Sequence, residues 1–159
     1  MPLSASIVTR LQHQHESLQP LISGLSEEEL RLRNMSGKWS VFENMAHLAA
    51  YQPVFDDRIV RMEKEREPAF DRYVAEEDPL FPSYLEKRPG ELIRIIATDR
   101  SAITARLMGL EQEALRRTGL HPKFGLLTVE QWAEFFLLHE AHHLFTVFRL
   151  AQELRSGLG

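Results

Sequence analysis

The chain of 159 residues contains no cysteine. That absence excludes disulfides, thiolate metal ligands and a protein-borne thiol nucleophile, so any metal has to be held by His, Asp or Glu. Positive charge is also in short supply. Against 23 Asp and Glu stand 19 Lys and Arg, giving a net charge of −4 and a pI near 6.0; without a basic stripe, no nucleic-acid partner is expected. No uninterrupted apolar run approaches the roughly 18 residues of a membrane span, so no membrane association is expected. The opening stretch MPLSASIVTRLQHQHESL has a lone Arg10 and no apolar core. It does not read as a secretory signal, and a cytoplasmic location is the expectation. A Gly-rich phosphate loop, a Gly-x-Ser-x-Gly elbow, internal repeats and low-complexity tracts are likewise missing. What remains is 43% hydrophobic and 26% charged, an ordinary globular composition in a chain long enough for a single domain over 1–159.

Helical periodicity fills most of that domain. Two capping boxes, Ser40-Val-Phe-Glu43 and Thr128-Val-Glu-Gln131, mark helix starts at which a hydroxyl and a carboxylate or amide satisfy each other's free backbone N–H groups. After the first, Val41, Met45, Leu48, Tyr51, Phe55, Ile59 and Met62 recur at three- and four-residue spacing, with Pro53 predicting a kink or boundary. After the second, an apolar helix runs to Leu154 before Ser156 and Gly157 end it. Two more helical segments are predicted over roughly 4–24, kinked at Pro20, and roughly 89–117. Four such helices predict an all-α four-helix bundle. The stretch from Ser26 to Trp39 reads as a charged connection. That from Glu67 to Gly90 is longer, rich in acid and proline, and is predicted to wrap the outside with a short helical piece. His121 to Thr128 reads as a loop, since strand-like alternation is nowhere sustained.

Three of the seven histidines crowd into Glu134-Phe-Phe-Leu-Leu-His139-Glu-Ala-His142-His143-Leu144. Residues four apart on a helix stand above one another, so His139 and His143 can aim at one point. The same face carries Trp132, Phe136, Val147 and Leu150, which turns the pair toward the bundle interior. His142 falls on the flank and reads as a packing residue or one that supports the ligands from behind, not as a ligand. Two imidazoles do not make a tight metal site, and the third histidine in a confident helix is His47, placed on the interior side of the second helix with Tyr51 one turn on. Spacing alone leaves two readings open: a metal site, or core histidines hydrogen-bonded to carbonyls and carboxylates. His13, His15 and His121 read as solvated surface residues. The string from His139 to His143 also matches H-E-x-x-H, which makes Glu140 a general-base candidate. Thr146 and Arg149 depart from the longer metzincin pattern, and Glu140 sits off the centre line of the pair, where a solvated surface charge is the plainer reading.

Gly37 to Gln52, GKWSVFENMAHLAAYQ, resembles the start of the second helix of the DinB-like superfamily, in which a Trp-Ser turn leads to a cap and an inward His followed by Leu. The closing LLHEAHHLFTVFRL is similar to that family's fourth-helix signature of two histidines separated by three residues. The helix order fits over most of the chain. The resemblance implies an up-down-down-up four-helix bundle with a long connection between helices 2 and 3, commonly a homodimer. It implies a divalent metal, with zinc, nickel, iron and manganese all represented, held by His47, His139 and His143. It further implies a hydrolase, or a transferase that uses a low-molecular-weight thiol, acting on a small-molecule substrate. Other members of the family are known only as stress- or damage-inducible proteins, so a metal-binding protein without catalysis is the alternative.

On the open positions of such an ion, water or a thiol could be activated at neutral pH. A protein without cysteine would have to borrow the thiol from a cosubstrate. Trp39, Asn44 and Tyr51 are the expected pocket residues, beside the ordinary alternative of packing and capping.

Overall fold

The computed structural model describes residues 3–157, and four helical arms account for most of it. The first is α1 (Ala5–His13), a 3-10 turn (Gln14–Ser17) and α2 (Leu18–Ile22). The disturbance expected at Pro20 appears one turn earlier. A proline ring crowds the carbonyl four residues before it and offers that carbonyl no N–H, which here concerns Glu16, inside the tightened turn. The stretch read as a charged connection contains α3 (Glu27–Arg31), opened by a Ser26–Glu29 capping box.

The second arm, α4 (Val41–Lys64), runs through Pro53 without a boundary there. Pro53 is exposed, while Tyr51, Phe55 and Ile59 around it are buried. Their burial outweighs the roughly 3 kcal/mol that an interior proline costs. Over 65–88 the chain then crosses over, with a 3-10 turn (Ala75–Glu77) and α5 (Phe81–Leu85). The third arm, α6 (Pro89–Gly109), starts with Pro89 in its first turn and the Arg88 N–H on the Glu91 carboxylate at 2.8 Å. It stops well short of Arg117, and a one-turn α7 (Gln112–Leu115) follows.

Residues expected to form the end of a helix and a loop instead form a hairpin, β1 (Thr118–His121) against β2 (Gly125–Thr128), with His121 opposite Gly125. Strands of four residues are too short to show alternation in the sequence, and this hairpin is fixed by tertiary contacts. Trp132 Nε1 donates to the Gly119 carbonyl at 3.2 Å. Leu120 exchanges backbone hydrogen bonds with Pro68 and Phe70 of the crossover. A Cβ on Gly119 would stand 2.6 Å from the Phe70 ring and 2.8 Å from Met62 Sδ, so only glycine allows this approach. The last arm, α8 (Val129–Ser156), ends where Gly157 takes a left-handed φ of 69°.

Cross-arm contacts fix the directions. Arg10 pairs with Glu134, Gln14 reaches the Leu137 carbonyl, and Arg155 reaches the Leu21 carbonyl, so the first arm runs parallel to α8. Arg100 meets Gln52 and Arg106 meets Asp56, so α4 runs parallel to α6. Asn44 meets His143 while Phe55 stacks on Phe136, so α4 and α8 are antiparallel. This is the up-down-down-up bundle. Its parallel neighbours α4 and α6 cannot be joined by a tight turn, which is why the crossover is long.

The apolar core is in two parts. One gathers Leu11, Phe55, Ile59, Ile103, Leu107, Trp132 and Phe136; the other gathers Leu18, Phe42, Met45, Leu92, Ile96, Val147 and Leu150. Between them lies a belt of polar side chains: Gln52, Arg100 and Glu140 toward α6 and the first arm, and His47, His139 and His143 where α4 meets α8.

Candidate metal centre

His47 on α4 and His139 and His143 on α8 each offer one nitrogen, and these atoms lie within 4.8 Å of one another. His47 Nε2 and His139 Nε2 are 3.0 Å apart. Two imidazoles sharing one ion at about 2.0–2.1 Å place their nitrogens roughly 3 to 3.4 Å apart, so the spacing suits a shared ion. Ring orientation is set from outside. His143 Nδ1 bonds Asn44 Oδ1 at 2.8 Å, and Asn44 Nδ2 in turn donates to the Ser40 carbonyl at 2.8 Å, which leaves His143 Nε2 free. The Nδ1 atoms of His47 and His139 are buried without a partner among the described residues. Their rings are held by packing: His47 against Trp39 at 5.1 Å and Tyr73 at 5.7 Å, His139 against Tyr51 at 4.6 Å.

Burial pushes all three imidazoles down to about 3, and neighbouring charge adds to this: His143 acts on His47, His47 on His139, and His139 on His143. At neutral pH the three rings are therefore neutral, with lone pairs available for a metal. All-nitrogen, neutral and convergent, the donor set fits a divalent transition metal.

The histidines form one wall of a cavity of about 500 Å³, within the usual range for small-molecule sites. Trp39 and Tyr51 line it as expected, but Asn44 does not; it works from behind, through His143. The crossover supplies the opposite wall from Asp71 to Glu76. Burial holds the Tyr51 phenol above the ordinary tyrosine range, and it stays protonated.

Three expectations need correction. Glu140 is neither a surface charge nor a base for this cavity: it is 1% exposed, and both its carboxylate oxygens bind Arg100 on the far side of α8. Gln14 Nε2 adds a bond at 2.9 Å. His15 is half-buried beside this network, with its Nδ1 unpartnered, and burial and then Arg100 lower its pKa. His121 is not a solvated bystander but part of the cavity wall. His142, by contrast, is exposed and outside the cluster.

Arg58 also lines the cavity, and sequence reasoning passed over it. Its signal was there: it stands three residues after Phe55 and four before Met62, a charge inside an apolar stripe. Among the described residues, no helix is long and apolar enough to cross a membrane.

Known proteins share this arrangement of helices. The sequence profile of the DinB superfamily matches residues 10–147. YuaE of Bacillus subtilis (strain 168), itself uncharacterized, is 29% identical over 152 residues, which cover 86% of this chain and 91% of that protein. YfiT from Bacillus subtilis, described as a probable metal-dependent hydrolase with an unusual four-helix bundle topology, has a TM-score of 0.80 at 19% identity, over 94% of this chain and 86% of that one. An uncharacterized protein from Clostridium difficile 630 has a TM-score of 0.67 at 11% identity over 94% of both chains. Those two likenesses speak for the fold, and the profile, which spans most of the chain, for the family: the protein belongs to the DinB superfamily.

Proposed function

We propose that this protein is a divalent-metal enzyme of small molecules, transferring a low-molecular-weight thiol to an electrophilic substrate or hydrolysing a related one. The observation that carries this reading is the convergence of three neutral imidazoles on the wall of an open cavity. His47, His139 and His143 would hold the ion, which when bound supplies a Lewis acid able to lower the pKa of water or a thiol. The chain itself contributes orientation and shape. Asn44 fixes the His143 ring, Trp39 and Tyr73 brace His47, and the protonated Tyr51 offers a hydrogen bond.

Thiol transfer fits two features of the chain: no cysteine of its own, and a Glu140 carboxylate occupied by Arg100. Hydrolysis is supported by the description of YfiT. Metal analysis of protein purified without a polyhistidine tag is the first test. Failure to contain or take up zinc, nickel or manganese would end the reading. Metal-loaded protein is then offered a halogenated aromatic electrophile with and without low-molecular-weight thiols, and ester and amide substrates without them. Turnover that needs the thiol identifies a transferase, and turnover with water alone a hydrolase. No turnover with bound metal returns the protein to the non-enzymatic, stress-related alternative.

A further inference from the structure

Arg58 is 7% exposed, and a guanidinium stays charged throughout the physiological range. Burying such a charge is costly unless an anion accompanies it. Arg100, buried to 1% exposure, has its anion in Glu140. Arg58 has none: among the described residues no carboxylate lies within 4.0 Å of its nitrogens. Its two hydrogen bonds go to neutral acceptors, the Tyr51 hydroxyl at 3.0 Å and the Asp71 backbone carbonyl at 2.8 Å. The remaining surroundings are the faces of Tyr51, Phe70 and Trp132, with ring centroids 5.3–5.8 Å from its central carbon. These soften the burial but do not neutralise the charge.

The unpaired cation faces the same cavity as the histidines. Arg58 follows His47 by about three turns on α4, and its side chain reaches back to Tyr51, whose ring packs on His139. A second donor stands beside it. His121 Nδ1 accepts from the Lys123 and Phe124 backbone N–H groups at 3.0 and 3.1 Å, which puts the ring proton on Nε2. Burial, then Arg58, then Lys123 hold this imidazole below its ordinary pKa, and it acts as a neutral N–H donor. The two acidic residues on the wall, Asp71 and Glu76, are exposed and do not occupy the guanidinium.

Building on the reading of this cavity as the substrate site, we infer that its substrate carries a carboxylate, bound by Arg58 with the His121 N–H beside it. The reacting end of the substrate then points toward the histidines. Arg58 is thus a specificity-determining residue. Its guanidinium, held by Tyr51 and the crossover backbone, presents its free edge to the ligand.

The test uses benzoate and its neutral counterpart benzamide as probes, with binding followed by NMR, first on metal-free protein. Wild type is expected to bind benzoate at least tenfold more tightly than benzamide, with the Arg58 Nε–Hε resonance shifting only with benzoate. Arg58→Met is expected to bring the ratio close to one, and Arg58→Lys to keep part of it. Equal binding by wild type, or an undiminished preference in Arg58→Met, overturns the inference. So does a preference that appears only after metal is added, since the carboxylate would then sit on the ion. If Arg58→Met fails to fold, the wild-type ratio and the Arg58 resonance decide alone. The metal-free result is independent of metal uptake or turnover, so the failure of one reading is distinguishable from the failure of the other.

Discussion

Arg100 and Arg58 make the two halves of the polar belt comparable. Both are buried and both touch aromatic faces, Arg100 that of Phe136 at 4.6 Å. Around Arg100 the charge is balanced: Glu140 supplies the opposite charge, Gln52 and Gln14 add bonds, and these side chains join α4, α6, α8 and the first arm, with the neighbouring His15 Nδ1 left over. Around Arg58 and the histidines it is not: among the described residues the cation has no anion and the His47 and His139 Nδ1 atoms no partner, and a cavity adjoins them. A closed buried network fixes which helices meet and in what register. An open one at the same depth is the signature of a site that waits for something from outside.

The largest effects are expected in the closed half. Glu140→Ala leaves Arg100 buried and unpaired and should cost about 3–5 kcal/mol in urea unfolding. An Arg100→Met, Glu140→Met double variant should recover most of that loss, and failure to recover it would mean that Glu140 stabilises by something other than pairing. In the open half, His139→Ala and His143→Ala should each weaken metal binding by more than the roughly 100-fold that marks loss of an orienting partner, while His142→Ala leaves it unchanged. Equal losses at all three positions, read by titration calorimetry, would put the ligands elsewhere. Asn44→Ala, which frees the His143 ring without removing a ligand, should weaken metal binding roughly 10- to 100-fold.

Acid should act on the open half through its histidines. The folded histidines titrate at about 3, whereas in the unfolded chain they take up protons near 6.5. The unfolded state therefore binds more protons below pH 6.5, and the metal-free protein should lose stability as pH falls from 7 toward 4, by up to about 1 kcal/mol per pH unit for each of the three histidines. No histidine-linked loss is expected above pH 7. A flat unfolding profile between pH 7 and 4 would contradict the neutral, desolvated triad.

The four arms and the convergence of His47, His139 and His143 were legible because helical spacing reports which side chains share a face. Glu140 was misread for a related reason. Looking for one apolar stripe on α8, centred on His139 and His143, overlooks that a helix packed on three neighbours buries a second edge, here Leu137, Glu140 and Leu144. The hairpin was illegible because long-range contacts to Gly119 and the crossover, not local alternation, create it. Arg58 stood out as a charge in an apolar stripe, but what it and His121 face was not legible, because the cavity they line is closed by the crossover, whose path no local pattern specifies.

That crossover has a further consequence. The histidines belong to two core helices, whereas the facing wall belongs to a surface strap fastened to the hairpin at Pro68–Phe70. Arg58 and His47 share α4, yet the strap reaches both: the Asp71 carbonyl holds the guanidinium, Tyr73 packs on the His47 ring, and Ala75 enters the core. A change in this one short segment would therefore be felt at both ends of the cavity at once, at the guanidinium through Asp71 and at the imidazoles through Tyr73.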